Sequence, residues 1–166
     1  NQLTTLDVSQ NTSLNQLYLH DNLINILDIS SNIYITGLLC YQNQITNLNL
    51  SGLTMLNFLD CNSNQLTSLD VRNGNNTAFT YFITGGNTNL FCIDVDSASW
   101  SAANWTFANG NIDSWANFSS NCATAFGCTD PLALNYDSLA TIDDSSCTYQ
   151  MTYVPDNNFE TYCENQ

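Results

Sequence analysis

Apolar positions recur along the first half of the chain in a fixed spacing. The segment LNQLYLHDNLI places Leu14, Leu17, Leu19 and Ile24 around an Asn at position 22. Twenty-one residues later ITGLLCYQNQI repeats the arrangement with Ile35, Leu38, Cys40, Asn43 and Ile45. LNFLDCNSNQL repeats it again with Leu56, Leu59, Cys61, Asn64 and Leu66. A second apolar triplet follows: Leu3, Leu6 and Val8; Ile24, Leu27 and Ile29; Ile45, Leu48 and Leu50; Leu66, Leu69 and Val71; Leu90, Ile93 and Val95. Alternation inside each triplet is the period of an extended segment, so each turn should carry two short strands. One turn cannot bury both of its apolar edges, whereas stacked neighbours can, and the pattern predicts a solenoid. Asn22, Asn43 and Asn64 are expected to point inward and bond the backbone of the bend.

The fourth turn leaves this register. In RNGNNTAFTYF, Phe79 and Phe82 reach the apolar sites only after a two-residue insertion, and a loop over Gly74 to Thr77 accommodates it. From Cys92 the repeat gives way to a stretch loaded with Trp100, Trp105, Ile112, Trp115 and Phe118. A solenoid needs its last open face covered, so this stretch reads as a cap made of a short helix and irregular chain. Cys92 and Cys122 bracket it and are the expected disulfide.

The repeated L-x-x-L-x-L-x-x-N-x-L unit resembles the leucine-rich-repeat family, down to cysteine at an apolar site. The resemblance implies a β-rich solenoid with turns of about 21 residues over 1–91, followed by a C-terminal cap and short linker over 92–126. The order Cys, I-D-V-D, Asn-Trp, Ile-Asp, Cys in the cap is similar to the ends of secreted leucine-rich-repeat proteins of Bacteroidetes type. GCTDPLALNYDSLATIDDSSCTY then resembles a G-C-T-D-P-x-A-x-N-Y…D-D-G-S-C module that recurs between domains of bacterial surface proteins, with Ser145 in place of the usual Gly. It implies a small module over 127–150, stapled by Cys128 and Cys147; such a loop closure is worth about 3 kcal/mol in the chain-entropy model. Asp130, Asn135, Asp137, Asp143 and Asp144 crowd this loop with hard oxygen donors, and together with the resemblance they make Ca²⁺ the candidate cofactor. Residues 151–166 resemble the opening of a further leucine-rich-repeat cap, and Cys163 there has no evident partner. With Asn1 already inside a repeat, the chain reads as a fragment of a longer or processed protein.

Charge narrows the partners. Fifteen acidic residues stand against one basic residue, Arg72, for a formal net charge of −14. Nothing here can neutralise phosphates, so nucleic acid and anionic membrane surfaces are excluded. No apolar run is long enough to span a bilayer, and no membrane insertion is expected. Seven cysteines without C-x-x-C spacing, and a lone His20, favour disulfides over zinc and hence an extracellular setting. One His, one Arg and no Lys leave few general bases or electrophilic clamps, so the chain is not expected to be an enzyme.

Stacking the repeats puts Gln16, Gly37, Phe58 and Tyr81 in one outward row, then Tyr18, Leu39, Asp60 and Ile83, then His20, Tyr41, Asn62 and Gly85. Tyr18, His20, Leu39, Tyr41, Phe58, Asp60, Tyr81 and Ile83 are the candidate ligand-binding residues, because exposed aromatics on one face favour a covering partner. The bland alternative is that some of these rings lie flat over their neighbours. A second row, Asp7, Asp28, Asn49, Asp70 and Asp94, should be structural, its repulsion relieved by hydrogen bonds from adjacent turns or by cations. Ser97 and Ser138 match the D-[ST]-[small or apolar] acceptor pattern of Bacteroidetes-type O-glycosylation. The expected function is binding or adhesion to an extracellular glycan or protein. The competing reading is a structural unit of a filament, stalk or sheath, with further copies of the chain as partners.

Overall fold

The computed structural model of the protein describes residues 1–150. The further cap expected at 151–166, with Cys163, lies outside the described residues. Two compact units make up the chain, Asn1–Cys122 and a second from Ala123 onward.

The first unit is a β-solenoid of about five turns, spaced by about 21 residues. Its strands are β1 (Gln16–Tyr18), β2 (Gly37–Leu39), β3 (Asn47–Asn49), β4 (Phe58–Asp60), β5 (Ser68–Asp70), β6 (Tyr81–Ile83), β7 (Cys92–Asp94) and β8 (Asn117–Ser119). They form two parallel sheets, ordered β1-β2-β4-β6 and β3-β5-β7-β8. In the first sheet Leu17, Leu38, Leu59 and Phe82 stand in one inward row. Ile24, Ile35, Leu38, Ile45, Leu50, Leu56, Leu59 and Leu66 are wholly excluded from water. Strands this short are held by that burial more than by their own pairing. The second triplets of the first two turns differ from expectation: Leu3–Val8 and Ile24–Ile29 form no strand. A cleft of about 420 Å³ opens where Leu27–Ser30 face Asn47–Leu53, and single backbone bonds, Leu23 N–H to the Leu3 carbonyl at 2.9 Å and Gln44 N–H to the Ile24 carbonyl at 2.8 Å, join these turns in place of a ladder.

The bend after each strand of the first sheet is built on an asparagine ladder. The Asn43 amide donates to the Leu19 and Cys40 carbonyls at 3.0 and 3.1 Å, and its Oδ1 accepts from Ile24 N–H at 3.0 Å. Asn64 repeats this with Cys40, Cys61 and Ile45, and Asn87 with Cys61, Thr84 and Leu66. One side chain thus stitches its own turn to the one before it. The residue ahead of each ladder position is left-handed: Asp21, Gln42 and Ser63 at φ 56, 53 and 51°, and Gly86 at 75°. Cys40 and Cys61 occupy the inward row between Leu19 and Thr84 as free, fully buried thiols.

The two-residue insertion is absorbed by Gly74, at φ 73°, and a short 3₁₀ turn over Asn76–Ala78. Asp96 clamps it, accepting from Gly74 and Asn76 N–H at 3.1 and 3.3 Å. The cap begins with helix α1 (Ala98–Asn104), whose first turn is closed by Ser97. After it the Trp105 ring stacks on Phe82 at 3.8 Å and meets Phe79 and Trp100 edge-on. This aromatic plug covers the last turn, while Trp115, counted above in the apolar load, is 42% exposed. The Cys92–Cys122 disulfide ties β7 to the end of the cap.

The second unit contains β9 (Phe126–Gly127) and β10 (Ile142–Asp143), a parallel pair, and the Cys128–Cys147 disulfide. Among its described residues Ala125, Cys128 and Ala133 are buried and apolar, whereas Leu132, Leu134 and Leu139 face water. Ser145 sits at φ 62°, a conformation glycine adopts without strain.

Candidate functional site

Parallel pairing in exact register puts every outward side chain of the first sheet beside its counterpart on the next turn. Gln16, Gly37, Phe58 and Tyr81 align, as do Tyr18, Leu39, Asp60 and Ile83. His20 and Tyr41 follow in the bends. Spacing between neighbouring strands is close to the thickness at which flat rings stack. His20 lies over Tyr41 at 4.6 Å and 12°, and Phe58 over Tyr81 at 4.5 Å and 11°. Four of the five rings thus pair off and shield each other on one side; Tyr18, at 56% exposure, and Tyr81, at 40%, are the most open. The Tyr18 hydroxyl donates to Gln16 Oε1 at 2.6 Å.

Asp60 is the one carboxylate of this face, and it is buried at 7% exposure. Its Oδ1 accepts from the Asn62 N–H at 3.1 Å and from the Asn62 amide. Burial first, then the Asp60 carboxylate, hold the Tyr81 phenol above its usual range. Beneath the face, burial and then Asp60 push the Cys40 thiol far up, so this thiol stays protonated. Among the residues named from the sequence, Leu39, Tyr41, Phe58 and Ile83 are half-buried and complete the surface around Asp60.

The acidic row on the other sheet is a set of turn formers. Asp7, Asp28 and Asn49 accept from the N–H two residues on, at Ser9, Ser30 and Ser51. Those backbone bonds lower the Asp7 and Asp28 carboxyls. Asp70 is lowered chiefly by Arg72, whose guanidinium reaches Asp70 at 2.6 Å, Asp94 at 3.7 Å and the Ser120 carbonyl at 3.1 Å. Asp94 also accepts from Cys122 N–H at 2.8 Å.

In the second unit the five candidate calcium donors serve the loop itself. Asp130, Asp137, Asp143 and Asp144 each accept from the N–H two residues on, and Asn135 holds Thr148 and Ser146. Among the described residues no three His, Cys, Asp or Glu side chains come together as a metal ligand set. Ser97 and Ser138 are both exposed.

One feature of the surface was not visible in the sequence. Beyond β6, the edge of the first sheet, the chain turns into the cap and leaves a cleft of about 520 Å³. Tyr81, Phe79, Trp100 and Trp105 wall it, with Asn104 and Asn109 at its mouth. Only the aromatic load of the cap hinted at it, and that load equally predicts a core.

No family model matches the chain, and no curated protein does. Among solved structures, the chain is similar to the functional domain of InlJ from Listeria monocytogenes, which is described as including a cysteine ladder. Identity is 31%, the TM-score 0.46, and the match covers 57% of this chain. It covers 24% of the InlJ chain, so this chain spans about a quarter of that protein's length.

Proposed function

We propose that the chain is a non-catalytic binding module of a larger extracellular surface protein, of the secreted Bacteroidetes type that the cap and the Gly127–Tyr149 module resemble. It engages a glycan or protein through the outward rows of the β1-β2-β4-β6 sheet. The observation that carries this reading is the sheet face itself. Tyr18 and Tyr81 lie open, and Leu39, Tyr41, Phe58 and Ile83 are half-open, around one buried carboxylate. Exposed apolar groups gathered on one face mark an interaction surface. Two disulfides support an oxidising compartment.

The test is a binding screen on glycan and peptide arrays with the wild type and the Tyr18→Ala/Tyr41→Ala double variant. A ligand retained by the wild type and lost by the variant is expected. A wild type that self-associates into long assemblies and binds nothing would transfer the face to the filament reading.

Calcium on the Gly127–Tyr149 module is a separate proposal, supported by the hard oxygen donors gathered in this loop. A melting temperature of the whole chain that drops with EDTA supports it; an unchanged one leaves the five residues as turn formers. O-glycosylation at Ser97 and Ser138 is read by hexose increments on their peptides from native material.

A further inference from the structure

Resting on that reading, we propose that the cleft between the β6 edge and the cap is the subsite that holds a neutral sugar ring, so that the ligand of this face is an uncharged glycan. The stacking of Phe58 on Tyr81 covers the face of Tyr81 that looks toward β4. The opposite face looks past the sheet edge, where the cleft lies, and Tyr81 lines that cleft. The same stacking, at 4.5 Å and 11°, holds the ring in place before any ligand arrives. The face of an aromatic ring is electron-rich and complements the weakly positive C–H bonds on the flat side of a pyranose.

The polar groups of the cleft fit hydroxyls rather than charges. Thr77, Thr80, Asn104, Asn109 and Asn111 line it, with no Asp, Glu, His, Lys or Arg. The Asn104 amide nitrogen is tied to the Trp100 carbonyl at 2.8 Å, which leaves its oxygen to accept. Asn109 is exposed, its backbone N–H tied to Thr106 Oγ1 at 3.2 Å. At a net charge of −14 the chain repels acidic sugars, and the cleft offers no carboxylate to an amine. A cavity of this size lies within the range of small-molecule sites, roughly 300–1,000 Å³.

A peptide adding a strand to β6 is the rival occupant, since β6 is an edge. Asn111 stands in its way. Its amide donates to the Phe82 carbonyl at 2.8 Å, and its own carbonyl accepts from Thr84 N–H at 2.8 Å. These are bonds an incoming strand would need.

The experiment is calorimetry of the whole chain against short neutral gluco-, galacto- and manno-oligosaccharides, with the same sugars carrying a uronic acid and an unstructured peptide as comparators. Tyr81→Ala and Asn109→Asp should each weaken the neutral sugar by about tenfold or more, and Tyr41→Ala by less than about twofold. Circular dichroism melts establish that each variant is folded. Binding that survives both cleft variants but is lost in Tyr41→Ala overturns the cleft and keeps the sheet face. Preference for the acidic sugar or the peptide overturns the neutral-glycan assignment. No binding to any probe overturns both this inference and the glycan reading of the face.

Discussion

Asn64→Ala should lower the stability of the solenoid by about 4 kcal/mol, more than any exposed substitution in the chain. The Asn64 side chain is 8% exposed, and its amide donates to the Cys40 and Cys61 carbonyls while its oxygen takes the Ile45 N–H. Alanine leaves these three backbone groups without their partner in a dry interior, and each unsatisfied group costs about 1–3 kcal/mol. Asn64→Asp separates the roles: the oxygen for Ile45 remains, but a carboxylate cannot donate to carbonyls. It should be as damaging as alanine at neutral pH. Scanning calorimetry reads the result; at roughly 2–4 °C per kcal/mol, a drop of about 10 °C is expected. Exposed Gln44→Ala should move the midpoint little. An Asn64→Ala melt within a degree or so of wild type would sink the ladder as a source of stability.

Trp105→Ala should cost a similar amount, about 3–5 kcal/mol, for a different reason. Trp105 is 5% exposed and in ring contact with Phe82, Phe79, Trp100 and Phe118. Its removal opens the last turn to water rather than breaking a hydrogen bond. Trp105→Phe should recover part of the loss, since the face on Phe82 can be kept. The distinguishing measurement is hydrogen exchange: Trp105→Ala should deprotect Phe82 to Val95 first, whereas Asn64→Ala should deprotect Cys40 to Leu66. Uniform deprotection in both variants would mean that the turns melt as one unit and that the cap has no local role.

The repeat register was legible because inward leucines and ladder asparagines answer to burial and backbone satisfaction, two constraints that repeat with the turn. Leu17, Leu38 and Leu59 could be aligned by eye, and the insertion before Phe79 could be counted. The two disulfides were approachable from spacing and resemblance. The outward rows were readable as positions, but not as surfaces. Whether Phe58 stacks on Tyr81 or lies open is a rotamer choice made by the neighbouring turn, and no spacing records it. The burial of Asp60 follows from the bulk of those neighbours. The donors of the second unit read alike as turn formers and as metal ligands, because both roles use the same residue types. The cleft depends on where the first sheet ends, and β6 is its edge because the chain after β7 folds into α1 and adds no further strand to that sheet.

Arg72 has a practical consequence. It is the single position in the sequence after which trypsin can cut, and it sits in the fourth turn with its guanidinium held by Asp70 and Asp94 and with Asn73 buried behind it. A protease needs several residues in extended form, so the bond becomes cleavable only when that turn opens. One cut severs the front turns from the capped end. The appearance of two fragments on a gel is therefore a clock for the opening of the middle of the solenoid, with no label and no competing sites.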